Sequence, residues 1–156
     1  MKYYTFQFGD SNAGWFEIEQ TDTQIYMNAI FKMDNQEFEN PYWVKLENGK
    51  PTEYKSASSN WKKMPTGSNI YPESAYPILV PQVKNQLAYI ALHEDTGEIS
   101  GETALIRQGN EIKERRDGEI RRKFWLEDGE VVKIDWGGAI SERRPSLAEA
   151  KLGSDF

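Results

Sequence analysis

The amino-acid sequence predicts a mainly β protein: a strongly curved antiparallel sheet of about 9–10 strands, an open or half barrel, with a short helical or irregular crossover in mid-chain. Three observations lead there. Apolar side chains recur at every second position, most clearly in Ile25, Met27, Ala29, Phe31 and Met33, which places them on one face of a strand. Turn dipeptides such as Asn48-Gly49, Asp117-Gly118 and Asp128-Gly129 separate successive stretches of this kind, and glycine and asparagine tolerate the positive φ of tight hairpins. The composition is rich in rings, with 5 Trp, 8 Tyr and 7 Phe, and rings pack well on a pleated surface.

Taken in order, Tyr3 to Phe8 alternates and is interrupted by Gly9-Asp10. Ala13 to Gln20 places Phe16 and Ile18 on one face, and Gln24 to Met33 follows. Tyr42, Val44 and Leu46 continue the pattern up to Asn48-Gly49, with Lys50 to Ser56 as the returning strand. Residues 57–85 break the rhythm. Pro65, Pro72, Pro77 and Pro81 lie there, and each removes a backbone donor and restricts the residue before it. Within that stretch Ser74 to Val83 is apolar enough to pack as an irregular turn or short helix lying over one end of the sheet.

The β pattern then resumes. Leu87 to His93, Glu98 to Arg107, Asn110 to Arg115, Glu119 to Glu127 and Glu130 to Trp136 read as a meander, which Gly137-Gly138 ends. Ser146 to Leu152 has the pattern of one or two helical turns. Residues 1–156 form one domain in this reading, with sheet halves 1–64 and 86–142 around a proline-rich crossover at 65–85. Leu46-Glu47-Asn48-Gly49-Lys50 and Leu126-Glu127-Asp128-Gly129-Glu130 echo each other, each after a strand bearing a tryptophan. The echo is either the common look of β-hairpins or the trace of two related halves.

Charge and composition exclude several functions. The net charge is −6, unfavourable for general nucleic-acid binding, which depends on neutralising phosphates. With no cysteine and one histidine, disulfides, thiolate nucleophiles and Cys-ligated zinc are ruled out. No metal or cofactor is expected. No stretch is long and apolar enough to span a membrane, and no leader-like segment opens the chain, so the expected setting is the cytoplasm unless a leader has been removed. Basic residues concentrate in the last third of the chain, among them Arg121, Arg122, Arg143 and Arg144.

A sheet of this many strands must close or curl. The closing run Phe124-Trp125-Leu126-Glu127-Asp128-Gly129-Glu130-Val131-Val132-Lys133-Ile134, the succession of strands and the mid-chain proline segment resemble bacterial open-barrel domains, the lipoprotein-carrier-like and glycolipid-binding domains. That resemblance implies a curved sheet around a greasy ligand. The residues lead the same way: tryptophan offers an apolar ring with a polar N–H. Tyr26, Trp43, Trp125 and Trp136 are the expected lining, with Arg122 or Arg143 meeting an anionic head group. The expected function is therefore a non-enzymatic module holding a hydrophobic or amphipathic small molecule.

Two other classes remain open. His93, followed by Glu94-Asp95, would serve as a general base oriented by a carboxylate, although no Gly-x-Ser-x-Gly elbow is present. Carboxylate pairs for glycoside hydrolysis could be drawn from Glu17, Glu19, Glu94, Asp95, Asp128 and Asp135, but charged residues alternating with apolar ones also describe any half-solvated strand. A scaffold associating through a sheet edge is the third class.

Overall fold

The computed structural model describes residues 1–67, 69–154 and 156. The first half contributes β1 (Lys2–Phe8), β2 (Ser11–Gln20), β3 (Gln24–Met33), β4 (Gln36–Glu47), β5 (Lys50–Ser56) and the short β6 (Lys62–Lys63). The second contributes β7 (Ile70–Pro72), β8 (Gln86–Leu92), β9 (Ile99–Gln108), β10 (Glu111–Arg116), β11 (Glu119–Glu127), β12 (Glu130–Asp135) and β13 (Ala139–Arg144). All 13 join one curved, unclosed sheet in the order β6-β5-β4-β3-β2-β1-β13-β12-β11-β10-β9-β8-β7. Every pairing is antiparallel except β7 with β8. β6, β7 and β13 exceed the sequence expectation, and β13 matters most, because its pairing with β1 welds the two meanders into one sheet.

The hairpins obey the turn chemistry. Asn48 and Gly49 have φ of 53° and 76°, and Asp128 and Gly129 have 51° and 77°, the paired positive values of a type I′ turn. The two echoed segments thus fold alike. Each is followed by an outward tryptophan–lysine contact, with Lys55 Nζ 5.1 Å from the Trp43 ring centre and Lys133 Nζ 4.9 Å from that of Trp125.

Register shifts occur at Phe6/Gln7, Lys45/Leu46, Ile90/Leu92, Glu114/Arg115 and Trp125/Leu126. Extra residues of this kind bend a strand and increase its twist, which is how the ribbon curls. Gly14 permits the closest approach: a Cβ there would lie 2.0 Å from the Ile30 carbonyl oxygen.

The concave face carries Tyr4, Phe6, Phe16, Ile25, Met27, Val44, Leu105, Ile112, Phe124 and Ile134. The crossover fills the hollow between them. Its helix α1 (Tyr76–Leu79), flanked by single 3₁₀ turns at Glu73–Ala75 and Val80–Gln82, buries Tyr76, Leu79, Val80 and Val83 in the same core. The crossover is therefore a plug inside the curve, not a cover at its end. The second helix, α2 (Leu147–Lys151), packs on β1, β2 and β13. There Lys151 Nζ lies 4.7 Å from the centre of the Trp15 ring. Among the described residues no helix is long and apolar enough to cross a membrane.

The two rims of the sheet approach without pairing. The Tyr42 hydroxyl, on β4, donates to Asp95 Oδ2 at 2.8 Å in the β8–β9 turn. This bond spans the seam, and the polar cluster described next lies beside it.

Candidate functional site

Inward-facing positions on β8, β9, β10 and β11 carry polar side chains where the rest of the concave face carries apolar ones. On β10, Ile112, Glu114 and Arg116 alternate into the interior. Arg122 on β11 stands opposite Glu114 in register. The pair is bidentate: Arg122 Nε donates to Glu114 Oε1 and Nη2 to Oε2, both at 2.8 Å. Arg122 Nη1 donates to the Glu73 carbonyl at 3.1 Å, and the Tyr89 hydroxyl donates to Glu114 Oε2 at 2.5 Å. Burial by itself raises the Glu114 carboxyl pKa, but attraction to Arg122 and the bonds from Arg122 and Tyr89 outweigh it, leaving Glu114 below its ordinary value and ionised.

Arg116 extends this network. Its Nε donates to Thr103 Oγ1 at 2.8 Å and its Nη2 to Glu73 Oε1 at 3.0 Å. The same Glu73 oxygen lies 3.4 Å from His93 Nδ1, and His93 Nε2 is hydrogen-bonded to Ser100 Oγ. The Glu94 carboxylate accepts from the backbone N–H groups of Glu73 and Ser74, each at 3.1 Å, anchoring the start of the plug. Burial holds the Glu94 carboxyl above the usual range. Ser100 sits where two residues of β9 oppose one of β8, a bulge of the kind that re-aims a side chain.

Of these groups, Glu73, His93, Glu94, Glu114, Arg116 and Arg122 line a cleft of about 430 Å³ along the seam, with Met27, Asn40, Tyr42 and Trp136 also in its lining. Those same four residues also border an apolar hollow of about 240 Å³, formed with Phe6, Phe16, Ala29 and Phe31. The two spaces are continuous in their lining. Trp136 stands at the junction, its Nε1 donating to Ser141 Oγ at 2.9 Å and its ring edge-on to Phe16 and Tyr76. Beyond it Phe6, Phe31 and Phe38 stack toward solvent. A larger hollow of about 510 Å³ lies at the opposite end, near Tyr4, Pro77 and Glu130. Its lining ion pair, Lys2 with Glu130, is exposed on both sides, unlike the buried Glu114–Arg122 pair.

The six residues expected from sequence do not come together. Trp136 and Arg122 line the cleft. Tyr26 and Trp43 pair across β3 and β4 on the convex face, with ring centres 5.7 Å apart. Trp125, one position from the inward Phe124 and Leu126, is also convex. Arg143 lies at the other end of the molecule, paired with Glu130. Parity explains the division, since a strand cannot present both Arg122 and Trp125 to one side. The anionic-head expectation for Arg122 meets an obstacle as well: three of its nitrogens already have acceptors.

Glu73, Tyr89, Glu114 and Arg116 were not among the expected residues. The signal for the last two was charge at inward parity on β10, next to Ile112. No grouping of three or more His, Asp or Glu side chains able to hold a metal occurs among the described residues. No family model, curated protein or solved structure matches the chain.

Proposed function

We propose that the protein is a binding module for an amphipathic small molecule, its tail in the apolar hollow and its head in the polar cleft at the seam. The observation that supports this is the continuity of a polar cleft of about 430 Å³ with an apolar hollow of about 240 Å³ through Met27, Asn40, Tyr42 and Trp136. Ligand sites are typically concave and mostly apolar, with a few convergent polar groups that fix orientation. Each methylene transferred from water contributes about 0.8 kcal/mol, so even a short tail in the phenylalanine-lined hollow provides affinity while the head provides orientation.

Trp136 makes the reading testable. Titration of an alkyl amphiphile below its micellar concentration, followed by calorimetry, is expected to saturate at one site. Trp136→Ala should weaken that binding at least about tenfold, whereas Trp43→Ala and Trp125→Ala, on the convex face, should leave it unchanged. Equal effects from all three substitutions, or no saturation with any amphiphile, would refute the proposal.

A second reading is favoured by one observation, the chain Ser100–His93–Glu73. Nucleophile, base and orienting carboxylate in that sequence are recognised by geometry and not by chain order. In an ester hydrolysis, Ser100 Oγ would attack the carbonyl carbon while His93 took its proton. His93 would then protonate the departing alcohol, and water would release the acyl group as acid. The binding reading comes first because His93 and Glu73 line the cleft whereas Ser100 does not. Covalent labelling by a fluorophosphonate at Ser100, abolished in His93→Ala, would establish the hydrolase; absence of labelling at millimolar reagent would remove it.

A further inference from the structure

Resting on the binding reading above, we infer that the head group held in the seam cleft carries no negative charge and donates hydrogen bonds, as an ammonium or a polyhydroxyl does. The cleft is lined by three guanidiniums, Arg116, Arg121 and Arg122, and four carboxylates, Glu73, Glu94, Asp95 and Glu114. The formal sum is three minus four, or −1, with His93 neutral. A cleft rich in arginine is thus not electropositive.

Two of the arginines are also occupied. Arg122 is held by both oxygens of Glu114 and by the Glu73 carbonyl, and Arg116 is held by Glu73 and Thr103. Arg121, at the exposed side, is only loosely paired with the exposed Glu119 at 3.6 Å. At Arg116 or Arg122 an incoming carboxylate or phosphate would have to displace a resident carboxylate and leave it without its cation, which is strongly unfavourable when the group is buried. The acceptors are in surplus instead. Neither Glu94 nor Asp95 enters an ion pair with a basic residue among the described residues; Asp95 accepts only the Tyr42 hydroxyl in the bonds described, at 2.8 Å. Asp95 is exposed in the β8–β9 turn and is part of the cleft lining. A donor head group needs no rearrangement there.

The test uses the intact protein and four probes with the same ten-carbon tail: decyl glucoside, decylammonium, decanoate and decyl phosphate, titrated by calorimetry at pH 7 below micellar concentrations. The glucoside or the ammonium is expected to bind at least about tenfold more tightly than either anion. A lead for the ammonium that shrinks with salt marks a cation site, and a salt-independent lead for the glucoside marks a polyol site. Asp95→Asn, on an exposed turn, should narrow the margin over decanoate by at least about threefold. Decanoate or decyl phosphate binding as tightly as the glucoside and the ammonium would overturn the inference while leaving the amphiphile reading standing. No saturable binding by any of the four would remove both.

Discussion

Removing the Glu114 carboxylate is the perturbation with the largest expected consequence. The side chain is 1% exposed and its partner Arg122 11%, so neither charge has water to fall back on. Glu114→Ala would leave a buried guanidinium with only the Glu73 carbonyl and strand the Tyr89 hydroxyl. Breaking a buried pair by deleting one member costs about 3–5 kcal/mol. For a domain of this size that corresponds to a fall in Tm of about 6–20 °C. Replacing both partners, as in Glu114→Met with Arg122→Met, should cost much less than Glu114→Ala alone, because no orphaned charge remains. The pH dependence follows from the lowered Glu114 carboxyl. Its contribution is fully present above the ordinary carboxyl value of the unfolded chain and is lost as pH falls through the folded value. Wild type should therefore lose more stability on acidification than Glu114→Gln does. Urea titrations read by tryptophan fluorescence at pH 7 and at pH 4 measure both effects. A Glu114→Ala cost below about 1 kcal/mol, or a double variant as damaged as the single, would refute the reasoning.

Three further expectations concern the frame around the cleft. Gly14→Ala should destabilise by about 1–3 kcal/mol or prevent folding, because the new methyl would meet the Ile30 carbonyl oxygen at 2.0 Å; denaturant midpoints measure it. Glu94→Gln should cost about 1–3 kcal/mol at pH 7 even though burial disfavours the carboxylate, since the amide NH₂ would face one of the two backbone N–H groups that Glu94 now accepts. An unchanged urea midpoint would contradict that. Tyr42→Phe should cost about 1 kcal/mol and loosen the seam, seen as faster amide exchange in the β8–β9 turn. Equal exchange in both proteins would mean that the bond to Asp95 does not hold the rims together.

The fold was legible where apolar residues recur at every second position, as in Ile25, Met27, Ala29 and Phe31 on β3, all of which face the concave side or its margin. It was illegible where inward positions are polar or few. β13 has only Ala139 and Ser141 buried among its six residues, and Gly137-Gly138 read as an end when it is a turn. The cleft was hidden by a different cause. Asp117-Gly118 folds β10 against β11, and an unshifted hairpin would set Glu114 opposite Arg121. The register shift at Glu114/Arg115 sets it opposite Arg122 instead, which reverses the face each arginine takes. A one-residue bulge leaves no mark in composition or periodicity. The convex tryptophans misled because residue type alone does not mark the face: Tyr26 and Trp43 pair on the parity opposite to Ile25 and Val44, where Lys55 and Lys133 lie over the Trp43 and Trp125 rings.

The placement of the charges bears on why they are present at all. Well-packed apolar residues in place of Glu114 and Arg122 would stabilise the sheet as well or better, and the β1–β5 side of the same concave face is built in that way. The buried ion pair and its polar neighbours lie toward the seam, where the curve remains open and where Tyr42 and Asp95 meet. The result is an interior with a greasy end at Phe6 and Phe31 and a polar end at Arg116 and Glu73. A molecule that is itself greasy at one end and polar at the other would be held in one orientation by it, tail toward the phenylalanines and head toward the rim.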